Sequence, residues 1–323
     1  MWAFILRKLL YNIPVYLSIL FLLMLALRVR DPVPIYLGKN ADEYQVEQYR
    51  KEMGLDDPFV VQYGKFIGSV LSFDFTERSW QYPSDTVGEM LRKAIPHSLA
   101  ITIPTLLLSA ILSVMVALIS AYYRGRAPDR VLVFIAVIGM SISYLVYIIF
   151  GQFCAAFWPR HEQWDFQPFA TYFKPWTMED GLLGSWVLYY LLPVLIGVVV
   201  SMGYDTRFYR AVMVEESGSD YITTAKAKGA GRTKVMFVHM LKNAMIPIIT
   251  RVMATLPFLI TGSILLELYF GIPGMGNALI TALTNKDFPV IQGFVAVIAA
   301  LFLLSVILTD VLYALVDPRV RLS

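Results

Sequence analysis

The 323-residue sequence holds one cysteine, Cys154, within an apolar run. A single thiol excludes an internal disulfide and a CxxC metal site. Three histidines are scattered along the chain, and His161-Glu162 lacks the spacing of an HExxH zinc motif. No constellation of metal ligands or of nucleophile and base follows from the order of residues. A Gly-x-x-x-x-Gly-Lys-Ser/Thr phosphate loop is missing too, and Gly229-Ala230-Gly231-Arg232 reads as a turn. Charge is also scarce, at 16% of residues, where a soluble domain carries about a quarter. Nucleic acid is not an expected partner.

What is present is apolar. Hydrophobic residues make up 57% of the chain and the mean hydropathy is +0.61. Six apolar stretches lie at residues 9–27, 98–123, 131–158, 185–204, 244–266 and 290–316. Each matches the length of about 20 residues that a helix needs to cross a bilayer. Backbone groups in lipid must be satisfied within the segment, so the stretches are predicted to be helices. Arg7 and Lys8 ahead of the first stretch resemble the start of a signal peptide. The run is long and no small-residue cleavage site follows it, so it is predicted to be a retained first helix. The expectation is an all-α integral membrane protein with six spans in a single domain, residues 1–323.

Basic residues set the orientation. With the N-terminus in the cytoplasm, the inner side holds 15 of the 27 basic residues and 7 of the 24 acidic ones. The short segment 122–130 decides, because Arg124, Arg126 and Arg130 crowd it. Both termini are then cytoplasmic. The outer segment, residues 28–96, is too long for a bare loop. Asn40 is a candidate cap for a helix running to Met53, with Gly54 as its stop. Pro58 opens a second helix, whose residues Phe59, Tyr63, Phe66, Ile67 and Val70 share one face. This helix is expected to pack on the outer ends of the spans, or to serve as a ledge for an external partner.

The polar segment 205–243 is too long for a turn and too charged for lipid. Ser219 or Asp220 caps a two-turn helix, and Gly229 stops it. Tyr221, Thr224, Ala225 and Lys228 share a face by their three- and four-residue spacing. Its small residues would let a partner surface approach closely.

Asp220-Tyr221-Ile222-Thr223-Thr224-Ala225-Lys226-Ala227-Lys228-Gly229, with His239 to Pro247 after it, resembles the cytoplasmic loop of binding-protein-dependent ABC import permeases. It is similar to the B-type subunit of the oligopeptide/dipeptide/nickel branch. Thr223 and Thr224 stand where the general pattern has Glu-Ala, while Ala225 and Gly229 match. Further pieces resemble the family in the same order: Leu6-Arg7-Lys8-Leu9-Leu10, Met53 to Pro58, Glu267 to Gly276, Asp287 to Gly293 and Asp310 to Arg319. The resemblance implies a type I ABC importer permease architecture and one half of a translocation pathway. It also implies partners: a second homologous permease, two ATP-binding cassette ATPase subunits that hold the ATP and Mg, and an extracytoplasmic substrate-binding protein. The setting would be a bacterial inner membrane, with lipid around the spans. No cofactor is expected in this chain, and the chain is not an enzyme by itself. Peptides are the implied cargo; nickel, glutathione and sugars stay open.

Tyr221, Thr224, Ala225, Lys228 and Gly229 are accordingly expected to couple to an ATPase; the alternative is an interfacial helix lying on anionic lipid. An ordered outer loop is expected around Glu267, Phe270, Pro273, Gly274 and Gly276, since proline restricts the backbone and glycines permit tight turns. Arg251 and Asp310 lie inside apolar runs, where charges are costly and pair or snorkel, and a pair between the fifth and sixth spans is expected. A secondary transporter or channel is the rival class, as is a passive assembly scaffold. The transporter would need a coupling-ion site and internal repeats, and neither is seen in the sequence.

Overall fold

The structure, a computed structural model, describes residues 2–28, 33, 37, 42–52, 55–162, 169–173, 181–261 and 264–316. Among them the elements are helical, with one isolated antiparallel bridge between Arg78 and Thr86. In chain order they are α1 (Trp2–Leu27), α2 (Glu43–Glu52), α3 (Phe59–Leu71), α4 (Val87–Tyr122), α5 (Ala127–Ser141) and α6 (Tyr144–Gln152). Then come α7 (Gly181–Tyr189), α8 (Leu191–Glu216), α9 (Asp220–Ala227), α10 (Leu241–Thr261), α11 (Ile264–Phe270), α12 (Met275–Asn285) and α13 (Phe288–Val316), with further helical turns over residues 153–161 continuing α6 and over residues 232–240 leading into α10. Asn40, Met53 and Gly54, expected to bound the first outer helix, lie outside the described residues, as do Asp317, Arg319 and Arg321.

Five described helices are long and apolar enough to cross a membrane, at Arg7–Leu27, Val87–Tyr122, Leu191–Glu216, Arg232–Thr255 and Phe288–Val311. Two broken pairs raise the number to seven if each counts as a span. The protein is a multi-pass, all-helical membrane protein. Several boundaries differ from the sequence-based expectation. Helix α4 begins at Val87 rather than at 98, because Thr86 and Glu89 form a reciprocal cap. The Glu89 amide donates to Thr86 Oγ1 at 3.2 Å, and the Thr86 amide donates to Glu89 Oε2 at 3.1 Å. Helix α8 begins at Leu191 and runs to Glu216, well into the segment read as a loop. The third stretch is not one helix: α5 and α6 meet at a 94° bend.

That bend has a local cause. Ile142 and Ser143 both take extended backbone, at ψ 133° and 142°. Ending α5 there leaves its last carbonyls without helical donors. The Tyr147 hydroxyl donates to the Gly139 carbonyl at 2.9 Å, and Tyr204 donates to that of Met140 at 3.2 Å. Helix α8 lies close against α5 here. A Cβ on Gly203 would come within 2.9 Å of the Met140 nitrogen, so only glycine admits this approach. Close approach through small residues is what packs helices in lipid, where apolar burial gives little drive.

The chain divides into two compact units. The first comprises residues 1–98 and 273–308. Its core holds Val87, Leu91 and Ala94 from α4, Met275 and Ala282 from α12, and Val290, Ile291 and Phe294 from α13. Helix α3 packs on α1, with Phe59 edge-on to Phe21 at 5.3 Å and the Tyr63 hydroxyl on the Leu17 carbonyl at 2.7 Å. The expected face of α3 is half-buried in this way. Asp287 is 2% exposed and accepts from the Trp80 and Gln81 amides, both at 3.2 Å, and from the Ser79 hydroxyl. It thereby pins segment 79–81 to the start of α13.

The second unit comprises residues 99–272 and 309–321. One of its cores gathers Ile101, Ile148, Val194, Ile196, Leu266 and Phe270. The other is built around α9.

Candidate coupling helix

Helix α9 follows α8 after a turn through Ser217–Ser219, where Ser219 takes the cap position with extended backbone. The serine makes no side-chain cap bond. The helix stops where expected. Gly229 has φ +81°, its amide donates to the Lys226 carbonyl at 2.9 Å, and the Ala230 amide donates to that of Ala225 at 3.1 Å. This pair of bonds is a Schellman stop. A Cβ at Gly229 would touch nothing, so the glycine is there for its backbone angle and not for space.

The face of α9 differs from the one drawn from spacing. Ala225, expected outward, is 8% exposed, and Ile222 is 2% exposed. Both pack among Leu118 of α4, Tyr209 and Met213 of α8, Met236 and Met240 in the run leading into α10, and Ala244 of α10. Burying a side chain such as Ile222 away from water contributes about 1.5–3 kcal/mol. So the helix is held by its own chain on the Ile222–Ala225 side. Thr223, Thr224, Lys226, Ala227, Lys228 and Gly229 are exposed. Tyr221 is half-buried, and its hydroxyl donates to Glu216. Burial first, then that carboxylate, push its phenol above the usual range. Arg232 closes the following turn, with its guanidinium 4.3 Å over the Tyr122 ring and a bond to the Tyr122 carbonyl.

Beside this core sits an ion pair that the sequence reading missed. Asp129, in the first turn of α5, accepts from Arg210 Nε at 2.7 Å and Nη2 at 2.8 Å. It also accepts from the Ser120 hydroxyl at 2.6 Å and the Gly125 amide at 2.8 Å. The Asp129 side chain is 5% exposed and that of Arg210 is 26% exposed. A bidentate, fully hydrogen-bonded pair of this kind fixes geometry. It joins the C-terminal end of α4, the start of α5 and α8.

The expected partnership of Arg251 is corrected. Its Nε lies 3.5 Å from Asp205 Oδ1 on α8, so the carboxylate set against it is not Asp310 on α13. Spacing along the sequence ranks carboxylates by inferred depth, whereas the fold brings α8 alongside α10.

The loop expected around Glu267, Phe270, Pro273, Gly274 and Gly276 is also shorter than expected. Glu267 and Phe270 are fully buried residues of α11. Gly271, at φ +65°, ends that helix as its amide and that of Ile272 return to Leu268 and Glu267 at 3.3 and 2.8 Å. The Phe270 carbonyl accepts from the Phe173 amide at 2.8 Å. In the other unit, Pro273 is exposed, Gly274 and Gly276 are buried, and α12 starts at Met275, whose amide donates to Ser98 Oγ at 2.8 Å.

Comparison with known proteins gives these helices a family. The family of binding-protein-dependent transport system inner membrane components matches residues 113–322. The N-terminal part of such membrane components matches residues 1–116. A probable peptide ABC transporter permease of Sinorhizobium fredii is 31% identical over 323 residues, covering 99% of this chain and all of the relative. A putative peptide transport system permease of Brucella abortus is 31% identical over 328 residues, 99% of each chain. The glutathione transport system permease of Salmonella choleraesuis is 32% identical over 324 residues, again 99% of each. The chain therefore belongs to the family of binding-protein-dependent transport system inner membrane components, as a permease of the oligopeptide and dipeptide type of ABC importer.

Proposed function

We propose that this chain is one of two related permease subunits in an importer that carries peptides across a bacterial inner membrane. It supplies half of the translocation pathway. Two ATPase subunits bind and hydrolyse the ATP with its Mg, and an extracytoplasmic binding protein delivers the cargo. Both termini face the cytoplasm, in keeping with the basic residues Arg124, Arg126, Arg130, Lys226 and Lys228 on that side. Relatives named for peptide and for glutathione transport support a peptide cargo.

The observation that carries this reading is the two-sided build of α9. Ile222 and Ala225 anchor it to α4, α8 and the start of α10, while Thr224, Ala227 and Lys228 stay open. A helix held in this way passes a push on its open face to the spans behind it. Closure of the ATPases on ATP would supply that push, and the spans would rock between inward and outward openings.

The test uses Ala227→Trp in the complete transporter. A docked cleft does not tolerate the added bulk, since overpacking costs about 1–3 kcal/mol. Membrane insertion and thermal stability stay at wild-type level, while ATPase co-purification and ATP-dependent uptake fall. A helix that lay on lipid would tolerate the tryptophan and instead lose function on Lys226→Gln with Lys228→Gln. That pattern would sink the docking assignment.

A further inference from the structure

Helix α8 takes part in two Asp–Arg pairs that are built for different work. Arg210 and Asp129 meet through two bonds of 2.7 and 2.8 Å and are shielded. Asp205 and Arg251 meet through one contact of 3.5 Å, at the outer limit of a hydrogen bond, and the Arg251 side chain is 44% exposed. A pair so long and so open gains little from its own contact. It is easily exchanged for another.

Asp205 also lines a cavity of about 470 Å³ inside the second unit. That volume lies in the range of roughly 300–1,000 Å³ typical of small-molecule sites. Thr105 and Ser109 of α4, Ser201 of α8 and Thr255 of α10 share its wall. The hydroxyls of Thr105, Ser109 and Thr255 donate to carbonyls of their own helices, at 2.7, 3.1 and 2.7 Å. Their hydrogens are spent, so their oxygens offer the cavity acceptors. The rest of the wall is largely apolar, with Leu106, Val200, Leu265 and Leu266 among its residues, so these few acceptors and the one carboxylate stand out as partners for a group rich in N–H, above all an ammonium.

We propose that Asp205 and Arg251 form a cargo contact that reads the charged ends of a peptide. On passage the peptide's ammonium takes the place of Arg251 on Asp205, and the released guanidinium meets the peptide's carboxylate. Charge is conserved in the exchange, and neither protein group is left alone in the membrane. The inference rests on the peptide-permease reading above and adds to it the residues that touch the cargo.

The experiment uses the complete transporter in liposomes with its binding protein and ATP. A defined mixture of dipeptides and tripeptides with free termini is the probe, and accumulation is read by mass spectrometry. Asp205→Asn is expected to lower accumulation at least tenfold while co-purification of the ATPases and basal ATP hydrolysis stay unchanged. Asp205→Asn with Arg251→Gln is expected to remain as low, because the peptide's ends still find no partners. A merely structural pair behaves otherwise: removing both members leaves no lone charge and restores uptake. Restoration in the double variant, or wild-type accumulation in Asp205→Asn, overturns the assignment alone. Failure of the wild-type transporter to accumulate any of the peptides overturns the peptide-permease reading, and this contact with it.

Discussion

At the residue scale, the end of the helix bundle around α9 depends on a few polar groups in fixed roles. Asp129 accepts from Arg210, Ser120 and Gly125 together. Asp129→Asn should destabilise by about 3–5 kcal/mol, because Arg210 keeps its charge with no ionised partner. Asp129→Asn with Arg210→Met should cost less than the two single losses added, since the two sites are in contact. Thermal unfolding of the purified chain in detergent measures both, and additive losses would show that the pair is not a unit. Tyr209 is the opposite case. Its ring is fully buried in the core around α9, but its hydroxyl has no hydrogen-bond partner among the described residues. An unmatched buried hydroxyl costs about 1–3 kcal/mol. Tyr209→Phe should therefore leave the unfolding temperature unchanged or raise it, and a clear drop would reveal a partner that the fold does not display.

At the element scale, the two sides of α9 separate packing from docking. Ala225→Trp forces an indole into the cluster of Met213, Met236 and Met240 and should cost about 1–3 kcal/mol of stability. The same change at exposed Ala227 should cost almost none, so the contrast in unfolding temperature checks which face is inward. Gly229→Val places a branched side chain at φ +81°, a left-handed angle that costs an L-residue roughly 1–2 kcal/mol. It should fray the stop and reduce coupled transport while the spans remain inserted, as read by uptake and by protease protection. The bend between α5 and α6 offers another test. Gly203→Ala drives a methyl against the Met140 backbone, which cannot rotate away as a side chain can. The unfolding temperature should fall, and an unchanged value would mean that α5 and α8 sit further apart than drawn.

At the scale of the whole molecule, native mass spectrometry of the purified importer should find this chain once, beside one second permease and the ATPase subunits. A complex with two copies of this chain and no second permease would contradict the proposed assembly. Much of the architecture was legible in the sequence. Apolar runs long enough to span and an eight-residue helix stopping at Gly229 follow from rules that act over short separations. The capping box of Thr86 and Glu89 was equally local, and hydropathy alone passed over it because the first turns of α4 carry Glu89, Arg92 and Lys93. Spacing grouped Ala225 with Tyr221, Thr224 and Lys228, but it could not say which side of α9 faces its own chain, because that depends on where α4 and α8 end in space. It also could not pair Arg251 with Asp205, or Arg210 with Asp129, because those partners lie 46 and 81 residues apart. The sequence by itself determined that the chain lives in a membrane, roughly where its spanning segments lie, and where α9 stops, since hydropathy and glycines act within a few residues. Only the tertiary structure decided which charges meet, which face of α9 is free and where the third span breaks, because those outcomes are set by helices packing against one another.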